Sequence, residues 1–122
     1  MSDERFVVRN EPARPRFALI DRSEDGSGDL VIGEESYLDF AAEPGGSPTD
    51  RIMFHTEVSE DYGGQGLASV LVDAAVTETI EVGLKVVPVC PYVAAWLRKH
   101  PEHADHVVQP RPEHLQALSA SR

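Results

Sequence analysis

The stretch HTEVSEDYGGQGLAS, residues 55–69, decides how this chain is read. A β-rich run leads into three closely spaced glycines, Gly63, Gly64 and Gly66, and a helical pattern starts at once. Glycines let the backbone turn so that successive N–H groups converge. A helix N-terminus adds unpaired donors and the positive end of its dipole. Together they make a cradle for a pyrophosphate. A G-G-x-G turn alone also fits an ordinary tight strand-to-helix connection. It is neither G-x-G-x-x-G nor a P-loop ending in Gly-Lys-Ser/Thr, so dinucleotide-binding and NTPase readings fail.

Upstream, RIMFHTEV (51–58) reads as a strand. Simple alternation puts Ile52, Phe54, Thr56 and Val58 on one face, with Met53, His55 and Glu57 on the other. Downstream, polar Ser69, Asp73, Thr77 and Glu81 recur every four positions opposite Leu67, Val70, Leu71, Ala74 and Ala75. That spacing predicts an amphipathic helix from Gly66 to about Val82, capped by Gly83. LKVVPV (84–89) follows as a β-branched strand. Pro91 suits the first position of a second helix, whose stripe is Val93, Ala94, Trp96 and Leu97 and which Pro101 ends. Trp96 and Leu97 are expected to pack that helix onto the sheet.

The first half reads as strands: Phe6–Val8, Phe17–Ile20 after the proline-punctuated NEPARP (10–15), and Asp29–Ala41 with a bulge near Gly33. RSEDGSGD (22–29) and AEPGGSPTD (42–50) are turns by composition. The tail QPRPEHLQALSASR (109–122) reads as frayed, with one helical turn at most. The expected fold is a mixed α/β domain over 1–108, mostly an antiparallel sheet with one parallel strand pair and two main helices; 109–122 is a C-terminal tail.

Eleven basic against twenty-one acidic side chains give a net charge of −10, which argues against a nucleic-acid partner and favours cationic ones. A single cysteine excludes an intramolecular disulfide and fits a reducing cytoplasm. MSDERFVVRN (1–10) lacks a signal-peptide apolar region, and no run approaches a membrane span. A cytoplasmic protein with no membrane partner is expected.

GGQGLAS before an amphipathic helix, HTEV before it and CPYV (90–93) after it together resemble the GNAT superfamily of N-acetyltransferases, specifically its small single-domain members with a cysteine at the site. The resemblance runs from about Arg5 to Val108. Gly66 falls on the family's invariant glycine and Ala68 on its small residue, while Gly63 stands where Gln or Arg is usual. It implies acetyl-CoA as cosubstrate, held by Val58, Gly63, Gly64, Gln65, Gly66, Leu67 and Ala68, and transfer of its acetyl group to an amine. Two features of the family are missing. Only NEPARP stands where two helices separate the first strands, and little chain follows Val108 to form the last two. An open acceptor side implies a bulky amine or a protein partner. The alternative is a non-catalytic CoA-binding or protein-interaction module of the same fold.

Pro91 at the first helical position makes Cys90 the N-cap, where the dipole favours a thiolate nucleophile. The resemblance places this thiol where two parallel strands splay to admit the pantetheine arm. Two roles stay open for Cys90: an acetyl-enzyme nucleophile, or an inert thiol lining the tunnel. Tyr92 is the candidate proton donor to the leaving CoA thiolate, by analogy with the family. His55 and Glu57 are candidates for taking the amine's proton in direct transfer. His100, His103 and His106 read as a solvated row with no metal site, and Arg98 and Lys99 suit the negative end of the second helix.

Overall fold

A short proline-rich turn lets the first two apolar runs pair directly, and the chain then meanders. The computed structural model describes residues 5–22 and 28–121; the expected turn at 22–29 lies mostly outside them. The strands are β1 (Phe6–Glu11), β2 (Arg16–Arg22), β3 (Asp29–Phe40), β4 (Asp50–Val58) and β5 (Lys85–Pro88). The helices are α1 (Leu67–Glu81), α2 (Pro91–Arg98) and α3 (Pro112–Ala120), with 3-10 segments at Glu60–Tyr62 and Pro101–His106. The five strands form one sheet in chain order, antiparallel except for the parallel β4–β5 pair joined across α1. No helix intervenes between β1 and β2.

Two bulges set which side chains face where. In β3 the register slips so that Leu19 pairs with Gly33 but Ile20 pairs with Val31. Gly33 is required there, since a Cβ would lie 2.8 Å from the Glu57 carbonyl oxygen. In β4 Ser36 pairs with His55 but Tyr37 pairs with Met53, leaving Phe54 as the extra residue. The extra residue breaks the expected alternation. Met53 and Val58 share the main core face with Phe17, Leu19 and Tyr37, whereas Ile52 packs on the opposite face. His55 and Glu57 are exposed.

Helices α1 and α2 cover the main face, with Leu71, Val72, Ala75, Val76, Val93, Trp96 and Leu97 buried beneath them. The buried stripe of α1 is turned slightly from the expected one: Val72, Val76 and Thr79 are inside and Val70 is exposed. Trp96 and Leu97 pack as expected.

The other face is covered by α3, where the sequence reads as a frayed tail. Leu118 packs on Ile52 and Val87. His114 is fully buried against the Phe40 ring. Its Nδ1 accepts from the Arg111 N–H at 3.0 Å, so the ring proton sits on Nε2 and goes to Asp50 Oδ2 at 2.9 Å. A histidine filling an apolar position leaves no continuous stripe, which is why the helix is hard to read.

Because His114 is the donor to a buried carboxylate, His114→Leu is expected to cost roughly 2–3 kcal/mol. Urea denaturation of the two proteins checks this. A loss below about 0.5 kcal/mol, the range of surface substitutions, would mean that α3 only drapes over the sheet.

Candidate active site

After Val58, Ser59 donates its N–H to the Ile32 carbonyl at 2.7 Å and its hydroxyl accepts from the Asp61 N–H at 3.3 Å. The 3-10 turn that follows is tethered by Tyr62, whose hydroxyl donates to Asp21 Oδ2 at 2.5 Å. Arg5 grips the same carboxylate at 2.7 and 3.0 Å, and Phe6 meets the Tyr62 ring edge-on. Arg5 first and Tyr62 second hold the Asp21 carboxyl below its usual range, while Asp21 pushes the Tyr62 hydroxyl up.

The chain then turns through Gly64 (φ +81°) and Gly66 (φ +71°), left-handed conformations that favour glycine. The N–H groups of Gly64 through Ser69 have no acceptor among the described residues. They form a row of open donors at the start of α1, the backbone arrangement that the glycine spacing predicts. Gly63 is extended (φ −64°), a conformation open to any residue.

Beside this loop the β4–β5 ladder ends after Met53↔Pro88. Pro88 has no N–H, and the N–H groups of both Val89 and Cys90 go to the Met53 carbonyl at 3.0 Å each. Strand β4 runs on to Val58 without a β5 partner, and the chain turns into α2 with Cys90 as N-cap and Pro91 at the first position. Cys90 is 5% exposed. Its Sγ lies 3.2 Å from Thr56 Oγ1, and Thr56 donates a short hydrogen bond to Glu35 Oε1. Glu35 is fully buried, and its Oε2 makes no hydrogen bond among the described residues. Burial pushes its carboxyl up to about 8, against the opposing pull of the Thr56 hydroxyl and the His55 backbone.

On the opposite face of β4, His55 Nε2 lies 3.1 Å from Glu57 Oε1, both exposed. Glu34 stands with them, the three ligand-type atoms within 4.8 Å of one another, but Arg16 already pairs with Glu34 at 2.8 Å. Glu34, Glu57, Gly33 and Ser59 line an open groove of about 410 Å³. Tyr92 is exposed on the first turn of α2, with no hydrogen bond among the described residues. Val58 is half-buried against the main core, and Leu67 lies within it.

The family described as GCN5-related N-acetyl-transferase matches residues 29–106. The chain belongs to this family. A solution structure described as a GCN5-like candidate N-acetyltransferase from Staphylococcus aureus is 22% identical with a TM-score of 0.58, over 91% of this chain and 96% of that one. That likeness is one of fold. A ribosomal-protein-alanine N-acetyltransferase from Brucella melitensis biovar Abortus is 21% identical with a TM-score of 0.47, over 79% of this chain and 64% of that one. No curated protein matches the sequence. No helix among the described residues is long and apolar enough to cross a membrane.

Within this N-acetyl-transferase fold, Cys90 caps the N-terminus of α2 and the glycine loop leads into the N-terminus of α1. Trp96 joins the two helices: its indole N–H donates to Ser69 Oγ at 2.9 Å, tying α2 to the first turn of α1. His100 and His103 are not a solvated row. They stack on the Trp96 ring at 3.7 and 5.9 Å. His55 and Glu57 are brought together with each other but lie across the strand from Cys90. The sequence reading missed Thr56 and Glu35 as partners of the thiol. For Glu35 the signal was period two, since it alternates with inward Gly33 and Tyr37 on β3.

The raised carboxyl fixes a pH dependence. Folded Glu35 keeps its proton up to about pH 8, whereas an unfolded glutamate releases it near 4.5. The folded state therefore binds more protons in that window, and its stability falls as pH rises. The expected slope is up to about 1.4 kcal/mol per pH unit, levelling off above the folded value. Glu35→Gln should abolish this contribution. Denaturation curves at pH 5, 6.5 and 8 for both proteins check it.

Proposed function

We propose that this protein transfers the acetyl group of acetyl-CoA to an amine. The observation that carries the reading is the row of open N–H donors from Gly64 to Ser69 beside an unpaired stretch of β4. An anionic pyrophosphate fits the donors and the dipole of α1. The pantetheine arm then lies along the opening between β4 and the start of α2, which brings the thioester toward Cys90. Val58, Gln65, Leu67 and Ala68 flank that path.

The acceptor approaches from the groove edged by Glu34 and Glu57, whose charges suit a cationic amine. His55 and Glu57, across β4 from Cys90, are the candidate bases for the proton that such an amine must lose. Tyr92, exposed beside Cys90 in the chain, is the candidate donor to the departing CoA thiolate. That groove is open, which favours a bulky amine or a protein as acceptor.

Gly66→Val is expected to remove acetyl-CoA binding while the fold persists. No protein atom lies within 4 Å of a Cβ there, so the added branch meets the cradle's open space and a strained backbone. Gly63→Arg, at a position any residue can adopt, should tighten binding by adding a charge-assisted contact to phosphate. A thermal-shift series with acetyl-CoA, CoA and an unrelated nucleotide reads both. Equal acetyl-CoA shifts for the native protein and a folded Gly66→Val variant would sink the assignment. Binding without turnover on any amine tried would favour the non-catalytic CoA-binding module.

A further inference from the structure

A carboxylate has no packing reason to be where Glu35 is. It is fully buried on the core face of β3, opposite Phe17 on β2 and Thr56 on β4, and one oxygen has no partner among the described residues. Burying an acid with unmet hydrogen-bonding capacity costs stability, and a glutamine or an apolar residue would remove the charge penalty. Among the described residues its one side-chain hydrogen bond is to Thr56, and the Thr56 hydroxyl has one other polar side-chain partner, the Cys90 sulfur. Three groups that can exchange protons thus stand in line, ending at the N-cap of α2.

We propose that Glu35 is the proton acceptor for Cys90, acting through the Thr56 hydroxyl, and that this relay arms the thiol to take the acetyl group. The inference rests on the acetyl-transfer reading and selects the covalent route within it. In the first half-reaction, which starts from the ionised form of Glu35, the Cys90 proton passes to Thr56 Oγ1 as Thr56 passes its own proton to the Glu35 carboxylate. The sulfur lone pair forms a bond to the acetyl carbon, and the bond from that carbon to the CoA sulfur breaks, so that CoA leaves as a thiolate. In the second, the amine nitrogen bonds to the acetyl carbon and the bond to Cys90 sulfur breaks. Glu35 returns its proton to Cys90 through Thr56, and the proton lost by the amine neutralises the CoA thiolate. The sum is acetyl-CoA plus amine giving amide plus CoA.

The electrostatics suit the task. A carboxyl pushed up to about 8 by burial is ionised in a fraction that grows as the pH nears that value, and the ionised form that serves the relay is a stronger base than an ordinary glutamate. The charged group on the same strand that bears on Glu35 is Glu34, which adds to the upward push. Two positions on, Tyr37 shares the face and carries Arg51 over its ring at 4.3 Å. Glu35 touches no substrate in this scheme; it acts through Thr56.

The test reads the thiol directly and needs no CoA. Iodoacetamide alkylation of Cys90 is followed by intact-protein mass spectrometry from pH 6 to 10 in native protein, Glu35→Gln, Thr56→Val, Thr56→Ser and Cys90→Ala. The relay predicts that Glu35→Gln and Thr56→Val slow alkylation at pH 8 by on the order of tenfold or more. Thr56→Ser, which keeps the hydroxyl, should retain the native rate and pH profile. Circular dichroism identifies any variant that has not folded, and the serine variant keeps the test open if valine does not fold. Unchanged alkylation in folded Glu35→Gln and Thr56→Val overturns the relay. The same proteins are then exposed briefly to acetyl-CoA, with a denatured control. One acetyl group on Cys90, slowed by the same two substitutions, supports the full proposal. An alkylation pattern as predicted, with no acetyl adduct although acetyl-CoA binds, overturns the covalent step and leaves the relay standing.

Discussion

The carbonyl of Met53 holds the arrangement together. It accepts two N–H groups, from Val89 and from Cys90, at the point where Pro88 has none to give. A carbonyl has two lone pairs, so both bonds are made without leaving a donor orphaned. The parallel ladder stops there, and the chain swings away from β4 into α2. Everything at the site follows from that swing. The edge of β4 is left open, the thiol is delivered beside Thr56, and α2 starts on a proline suited to its first turn. Trp96 then locks α2 to Ser69 at the start of α1, so the thiol and the glycine loop keep a fixed separation.

The bulge at Phe54 decides what the open edge presents. Side chains on a strand alternate, so one inserted residue exchanges the faces of all that follow. With it, Thr56 points toward Cys90 and Glu35, and His55 and Glu57 are exposed on the other face, Glu57 at the acidic groove. Without it, an imidazole and a carboxylate would face the thiol instead. Gly33 allows the neighbouring strand to come close enough for this, because its missing Cβ clears the Glu57 carbonyl.

What the sequence made legible was local. The glycine loop, the N-cap cysteine before Pro91, the length of α1 and the packing of Trp96 each depend on a few adjacent residues. The exchanged faces of β4 were not legible, because a bulge is defined by register with a partner strand and no residue type at Phe54 announces it. Helix α3 was missed because its inward positions are His114 and Leu118, and a buried histidine makes sense only once Asp50 is seen across from it. Glu35 sits in the run GEES (33–36), which looks solvent-exposed by composition. Its burial comes from α1 and α2 closing over that face, far along the chain.

Strand order in the sheet is the same as chain order. Each of the first three pairings therefore closes a short loop, and loop closure is the entropic cost that slows the formation of distant contacts. A chain emerging from the ribosome can zip this meander as it appears, N-terminal end first. Only β5 must wait for the whole of α1 before it can dock. The thiol comes immediately after β5, so it is enclosed in the last stage of assembly, when the acid and hydroxyl that face it are already in place. A nascent or partly unfolded chain carries an ordinary cysteine; its special surroundings exist only in the finished sheet.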